Sequence, residues 1–115
     1  MHIIIPGELP NLNQIIEAAK THWTVYRDMK AANTELVAWY AKGKGKVKRA
    51  DIIITWYTKD RRTDPDNTAA AVKFILDGLV DAGVLKNDGC KVVRSIKHEF
   101  EYLEVIGNIY EAEKK

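Results

Sequence analysis

Cysteine is almost absent from this sequence, and so are long apolar runs. Cys90 is the single cysteine among 115 residues, so no disulfide can form within the chain. That excludes a disulfide scaffold and favours a reducing, intracellular compartment. No apolar run approaches the about 20 residues that cross a bilayer, and the first six residues are too short for a secretory leader. We therefore expect a cytoplasmic protein that does not span a membrane.

An excess of one charge sign is also lacking, with 18 basic against 16 acidic side chains. The hydrophobic fraction of 46% and the charged fraction of 30% are ordinary for a globular protein and exclude disorder. Chains of about 100–150 residues usually form one hydrophobic core. The sequence therefore predicts a single domain over residues 1–115.

The positive charge is concentrated in one segment. Eight basic and two acidic side chains lie between Lys42 and Arg62. A local basic patch attracts a polyanion, although a solvated lysine loop that keeps a protein soluble has the same composition. The candidate residues for binding a nucleic-acid backbone are Lys44, Lys46, Lys48, Arg49, Lys59, Arg61 and Arg62.

Apolar residues at helical spacing predict one long amphipathic helix in the first third of the chain. Asn11 or Asn13 can cap its start, and the pattern continues to Tyr40. Asn33 and Thr34 are polar residues within this stretch that could interrupt the helix. A glycine- and lysine-rich loop then follows.

A second helix is predicted from Pro65 or Asp66 to about Asp81, ended by Gly83. The last two strands are separated by little more than Glu101 and are expected to form a hairpin. The resulting order is β-α-β-α-β-β, an α/β fold of two layers (α+β-like) with helices packed on a mixed sheet. The predicted strands cover residues 1–5, 51–58, 92–100 and 102–110.

Two aspartates stand where a loop becomes the second helix. Pro65 restricts Asp64 to extended backbone, so Asp64 and Asp66 can project to the same side. Two nearby carboxylates repel unless a cation neutralises them, and hard oxygen ligands favour Mg²⁺ or Mn²⁺. The alternative is that Asp66 only caps the helix and Asp64 only makes a turn.

Other charged residues recur at positions that could join this pair. On a continuous helix, Lys73 and Asp77 share one stripe with Asp66. Lys73 could reach a phosphate, and Asp77 could hold its ammonium group as an i,i+4 partner, or the two could be a plain surface pair. Asp88 lies in the following polar turn, and an antiparallel return would bring it beside the strand end that leads to Asp64.

Three segments together resemble the RusA family of Holliday junction resolvases. They are Arg-Arg-Thr-Asp-Pro-Asp-Asn at 61–67, Lys-Phe-Ile-Leu-Asp-Gly-Leu at 73–79 and Ala-Gly-Val-Leu-Lys-Asn-Asp at 82–88. The family pattern is Asp-x-Asp-Asn, a helical Lys-x-x-x-Asp-x-Leu and an acidic turn after glycine. The match covers about a quarter of the chain and is specific in combination rather than in any single part.

The resemblance implies a homodimeric, Mg²⁺-dependent endonuclease that cuts four-way DNA junctions by paired symmetric nicks in DNA recombination and repair. It implies a cytoplasmic protein of bacterial, prophage or phage origin, with Mn²⁺ able to substitute and no small-molecule cofactor. Carried over by position, Asp64, Asp66 and Asp88 hold one or two metal ions, and Lys73 stabilises charge on the phosphate. The supporting positions are Asn67, Asp77 and Asn87.

The sequence departs from the family pattern at two positions. The family lysine follows the second aspartate by four residues, whereas here Ala70 takes that place and Lys73 comes three residues later. That difference is one helical turn, or about 4.5 Å along the axis. Asn87 stands where the family often has an aspartate, and its amide oxygen can coordinate a metal without bringing charge.

Two other functions fit the same residues. One is a non-catalytic dimer that binds DNA junctions through its basic patch. The other is a metal-dependent nuclease that acts on flaps or on RNA.

Side chains outside the motif are expected to be structural. His2, His22 and His98 are interpreted as structural or surface residues, and Cys90 as a buried or half-buried thiol. The aromatic residues could form a dimer seam or stack at an opened junction, but such residues are more often core. They are Trp23, Tyr26, Trp39, Tyr40, Trp56 and Tyr57.

Overall fold

A computed structural model of the protein describes residues 1–58, 64–102 and 109–111. The fold is α/β, and the predicted order of strands and helices is confirmed, except that each predicted helix is divided into two. The elements are β1 (Ile4–Pro6), α1 (Leu12–Thr21), α2 (Trp23–Ala41), β2 (Ala50–Thr58), α3 (Pro65–Ala69), α4 (Val72–Asp81), β3 (Val93–Tyr102) and β4 (Ile109–Glu111).

Strand pairing differs from the predicted hairpin. β3 pairs parallel to β2, from Ala50 opposite Val93 to Thr58 opposite Tyr102. β4 pairs antiparallel to β1 instead of to β3. The hairpin prediction is therefore wrong, because α3 and α4 form the crossover that a parallel pair requires. Among the described residues the strands therefore form two two-stranded sheets, the parallel pair β2–β3 and the antiparallel pair β1–β4, and not one mixed sheet.

The first predicted helix is divided at His22 and not near Asn33. His22 has extended backbone, with φ −167° and ψ 148°, and its Nδ1 accepts a hydrogen bond from the Thr24 N–H at 3.2 Å. His22 thus caps the start of α2. The interruption expected at Asn33 and Thr34 is wrong, because Asn33 Nδ2 donates to the Met29 carbonyl within the helix and Thr34 is buried.

Asn11 caps α1, as one of the two predicted positions. Its side chain accepts from the Gln14 N–H, and the Gln14 side chain accepts from the Asn11 N–H, both at 2.9 Å. This reciprocal arrangement is a capping box, which satisfies two donors that a helix start otherwise leaves unpaired.

The second predicted helix is divided at Ala70 and Ala71. α4 buries Phe74, Ile75 and Leu79 in the core, whereas α3 buries no residue. α3 packs against α1 and α4 packs against α2. Asp66 and Lys73 therefore lie on separate helices, and the prediction that one continuous stripe carries both is wrong. The i,i+4 spacing of Lys73 and Asp77 remains within α4.

Gly83 ends α4, as predicted. Its φ of 78° places it in the left-handed region. The Gly83 N–H donates to the Val80 carbonyl at 3.0 Å, and the Val84 N–H donates to the Leu79 carbonyl at 2.9 Å. These two bonds are the Schellman pattern, which turns the chain out of the helix.

The hydrophobic core lies between the β2 strand and helices α2 and α4. Its fully buried members include Val37, Ile54 and Phe74. Trp56 joins them at 9% exposure, as expected of a core aromatic. Trp23 and Trp39 are 66% and 71% exposed, so a core position is wrong for these two.

Cys90 is exposed, so the predicted burial of this thiol is wrong. The residue lies in the surface loop between α4 and β3. In the part of the chain that the structure describes, no helix is long and apolar enough to cross a membrane.

Candidate functional site

A close contact between α2 and α4 positions the candidate site. A Cβ atom added to Gly78 would lie 2.5 Å from the Val37 Cβ, closer than real Cβ contacts come. Glycine at this point therefore lets the two helices approach. Asp77 precedes Gly78, so its carboxylate lies beside the α2 surface, with 20% of the side chain exposed.

Lys73 bridges two carboxylates that are distant in sequence. Its Nζ lies 3.0 Å from Asp77 Oδ1 and 3.6 Å from Asp88 Oδ2. The Lys73 and Asp88 side chains are 51% and 42% exposed, so the bridge is open to solvent on one side. The predicted i,i+4 pair is thus present, and Asp88 joins it from the loop between α4 and β3.

These carboxylates keep Lys73 charged. The hydrogen bond to Asp77 raises the pKa of Lys73 above its ordinary value, and the charges of Asp77 and Asp88 act in the same direction. The stability that this pairing contributes is therefore complete below the unfolded pKa of lysine and is lost as pH rises through the raised value. At neutral pH the site presents an ammonium group.

Lys30 is a member of this cluster that the sequence reasoning missed. Its Nζ lies 4.0 Å from Asp77 Oδ2, so Asp77 forms ion pairs with one lysine from α2 and one from α4. Lys30 shares a helical stripe with Thr34, Val37 and Ala41, which are buried. A charged residue on the core-facing stripe of a helix was the signal that could have identified it.

Asp64 and Asp66 are exposed at the start of α3. Asp64 has the extended backbone expected before proline, with φ −66° and ψ 147°, and occupies the N-cap position without a side-chain cap hydrogen bond. Asp66 lies in the first turn. Neither carboxylate has a hydrogen bond or an ion pair within the described residues. Asp64 therefore does not cap α3 through its side chain, whereas Asp66 lies in the first turn, where a negative charge favours a helix start.

Asn67 joins α3 to the start of α1. Its Oδ1 accepts a hydrogen bond from the Asn13 N–H at 3.1 Å. That N–H belongs to the first turn of α1, where helical donors lack intrahelical partners. Asn67 thus satisfies a helix start in another part of the chain and fixes α3, with its two aspartates, against α1.

Asn87 stabilises the turn that contains Asp88. Its Oδ1 accepts from the Gly89 N–H at 2.9 Å, so the amide oxygen proposed as a metal ligand is engaged in the turn. This bond is an Asx turn, which Asn favours. It holds Asp88 at the tip of the turn.

Asp88 does not reach the site by the predicted route. The loop that contains Asp88 leads into β3, and because β3 is parallel to β2 its start lies beside the beginning of β2, whereas Asp64 follows the end of β2. The antiparallel return is therefore wrong, because the α3–α4 crossover brings the chain back along the sheet. The contact that the structure provides for Asp88 is with Lys73.

The donor set of the predicted metal site has the right chemistry, since exposed carboxylates are the ligands that Mg²⁺ prefers. Among the described residues, however, no three His, Cys, Asp or Glu side chains are grouped so that they could hold a metal ion. The meeting of Asp64, Asp66 and Asp88 around one ion stays a prediction.

Part of the basic segment adjoins the Asp88 loop. The Val47 N–H donates to the Val84 carbonyl at 2.9 Å, which ties the lysine-rich loop to the loop after α4. Three predicted DNA-binding residues, Lys59, Arg61 and Arg62, lie outside the described residues. The other four, Lys44, Lys46, Lys48 and Arg49, are exposed.

The histidines take structural or surface places, as expected. His22 caps α2, and His2 is exposed. His98 Nδ1 accepts from the Trp56 Nε1–H at 2.9 Å, and burial lowers the pKa of His98. The ring is therefore neutral at pH 7, and it forms part of the sheet rather than of the lysine–aspartate cluster.

Comparison of the chain with known protein families and with curated proteins finds no match.

Proposed function

We propose that this protein is a Mg²⁺-dependent, structure-specific endodeoxyribonuclease of the RusA family, which resolves four-way DNA junctions by paired symmetric nicks. The observation that carries the proposal is the contact between Lys73 and Asp88, which joins two of the three segments that resemble the family. These residues are 15 positions apart, and the helix periodicity alone does not require them to meet.

The chain's own residues have distinct roles in this proposal. Lys73 presents an ammonium group to a phosphate oxygen and stabilises its developing negative charge. Asp77 and Asp88 orient that group, and Asp77 is itself held by Lys30. The exposed lysines of the 42–49 loop bind the DNA backbone without reading its sequence.

Asp64, Asp66 and Asp88 are the proposed ligands of Mg²⁺. Asp64 and Asp66 support this role because their carboxylates are exposed and have no partner among the described residues. A bound divalent cation supplies charge neutralisation at the scissile phosphate and lowers the pKa of a water molecule.

Two symmetric nicks require two active sites, which a two-fold homodimer supplies. We therefore propose a homodimer, and the resemblance to the family adds the proposal of a cytoplasmic protein of bacterial, prophage or phage origin.

The test incubates a labelled, immobile four-way junction with the protein, with and without Mg²⁺ or Mn²⁺. Paired nicks opposite each other, only with metal, are the expected result. Flap, duplex and RNA substrates are compared under the same conditions. Faster cutting of a flap or of RNA would replace the junction with that substrate and contradict the resolvase assignment.

A non-catalytic junction-binding dimer is the second candidate, and the exposed basic side chains of Lys44, Lys46 and Lys48 favour it. Asp64→Asn separates the two functions. If the protein is a nuclease, the variant loses cutting but binds the junction as well as before or more tightly, because a charge that repels phosphate is gone. Wild-type protein that binds junctions but never nicks them with either metal would establish the binding function instead.

A further inference from the structure

The outer edge of β3 lacks a strand partner in the described part of the chain. β3 is ten residues long, and among the described strands it pairs only with β2. Ten residues of strand span about 33 Å. A long edge with unpaired N–H and C=O groups is a template for another strand, so a stable protein either blocks such an edge or covers it.

The side chains of β3 alternate between two chemistries along this edge. Ile96, His98 and Phe100 lie on one face, and Lys97 and Glu99 lie on the other. Ile96 and Phe100 are 37% and 40% exposed, although both are large and apolar. Lys97 and Glu99 are 69% and 39% exposed and carry opposite charges, and within one chain Lys97 Nζ lies 4.0 Å from Glu99 Oε2.

We propose that a second copy of this chain pairs antiparallel with β3, with the two-fold axis passing beside His98. This pairing places Lys97 opposite Glu99 of the second copy, and Ile96 opposite Phe100 of the second copy. By symmetry each pair occurs twice. The inference rests on the homodimer of the proposed function and assigns its interface.

Of the registers centred on Lys97, His98 and Glu99, only the one at His98 sets no like charges opposite each other. With the axis at Lys97, two lysines would face each other, and like charges directly opposite destabilise a sheet. With the axis at Glu99, two glutamates would face each other in the same way. The axis at His98 pairs opposite charges on one face and apolar side chains on the other.

His98 suits a position on the axis because its ring is uncharged. The Trp56 Nε1–H donates to His98 Nδ1, so the ring proton is on Nε2. The rings of His98 and Phe100 stack at 6.5 Å between centroids. Two neutral rings can face each other across the axis without charge repulsion.

The first experiment measures the monomer–dimer equilibrium by sedimentation, without DNA or metal. Lys97→Glu places glutamate opposite Glu99, and we expect the dimer to weaken about tenfold or more, since two symmetric pairs become repulsive. Glu99→Lys has the same effect for the same reason. The double variant with both substitutions exchanges the charges and restores the wild-type dissociation constant to within about threefold.

A cysteine cross-link tests the register independently. In a Cys90→Ser background, His98→Cys should form a disulfide-linked dimer on mild oxidation, because Cα atoms directly opposite in antiparallel strands lie about 4.5–5.5 Å apart. Ile96→Cys is the matched control. Its two copies would lie four residues, or about 13 Å, apart along the strands, which is beyond disulfide reach.

A wild-type protein that stays monomeric at all concentrations overturns the proposal. So does a dimer that neither charge variant weakens, or one that Ile96→Cys links as readily as His98→Cys. Because these measurements use no DNA, a protein that dimerises through β3 but never nicks a junction would refute the proposed nuclease and leave this interface intact.

Discussion

Two sets of aspartates in this chain stand in opposite electrostatic situations. The Asp77 carboxylate forms ion pairs with Lys73 Nζ at 3.0 Å and with Lys30 Nζ at 4.0 Å, and 20% of its side chain is exposed. Asp64 and Asp66 are exposed and have no hydrogen bond or ion pair within the described residues. Paired charges support the fold, whereas two unpaired carboxylates two residues apart repel each other. Asp77 therefore stabilises the structure of the site, whereas the carboxylate oxygens of Asp64 and Asp66 are available to a ligand.

The largest expected effect separates activity from stability in the unpaired set. Asp66→Asn should reduce junction nicking at least about 100-fold, because a ligand that neutralises the transition state would be lost. Its melting temperature should stay unchanged or rise slightly, since no partner within the described residues is removed. Nicking rates and thermal unfolding measure both. Asp81→Asn, at an exposed position at the end of α4, is the control and should leave nicking intact.

Gly78→Ala breaks the helix contact on which the paired set depends. The added Cβ would meet Val37 at 2.5 Å, so α2 and α4 must separate. We expect a loss of about 2 kcal/mol in the free energy of unfolding, as for other overpacked cores. Denaturant unfolding measures it. Gly89→Ala is the matched control, because its Cβ would lie 3.0 Å from a side-chain oxygen of Asn87 and should cost much less. Equal costs would show that the close approach is unimportant.

Asp77→Asn tests the paired set directly. Among the described residues, removing its charge leaves Lys73 with Asp88 alone at 3.6 Å and Lys30 without a close carboxylate. Because Lys73 is half exposed, we expect a loss of only about 1 kcal/mol in the free energy of unfolding. Asp64→Asn, from the unpaired set, should cost nothing under the same conditions. If both variants lose the same stability, the contrast between the two sets is false.

The smallest expected effect is a pH dependence at a third aspartate. Asp51 accepts from Arg94 and Ser95, and these hydrogen bonds lower the pKa of Asp51 to about 2. Asp51 therefore stabilises the folded state fully above its unfolded pKa of 3.8, and the contribution is lost as pH falls through about 2. The melting temperature of Asp51→Asn should be below that of wild type at pH 7, and the difference should shrink as pH falls from 3.8 toward about 2. A difference as large at pH 2 as at pH 7 would contradict this cause.

Local signals in the sequence were enough to predict several elements. Asn11 before a helical pattern predicted the capped start of α1, and Gly83 predicted the end of α4, because both depend on backbone geometry within a few residues. The Lys73–Asp77 pair was predicted for the same reason, since residues four apart on a helix are neighbours. The β2 strand was predicted from its apolar run, which agrees with its place in the core.

Contacts between distant segments were not predicted. The break at His22 is accompanied by two hydrogen bonds between its ring and Thr24, one to the Thr24 N–H and one to the Thr24 hydroxyl, which continuous helical periodicity does not predict. The division of α3 from α4 follows from what each segment packs against, which no local pattern records. Lys30 has the spacing of a core position, so only the approach of α4 shows that it meets Asp77.

The sequence by itself determined the order of strands and helices in the described chain and the acidic and basic character of the candidate site. Those properties depend on side chains within one or two turns of each other. Tertiary structure alone decided that β3 runs parallel to β2 and that Asp88 meets Lys73. Both depend on how helices and strands distant in the chain pack around Val37, Phe74 and Ile54. The hydrophobic effect stabilises the complete packed core, so no single segment contains the information that fixes it.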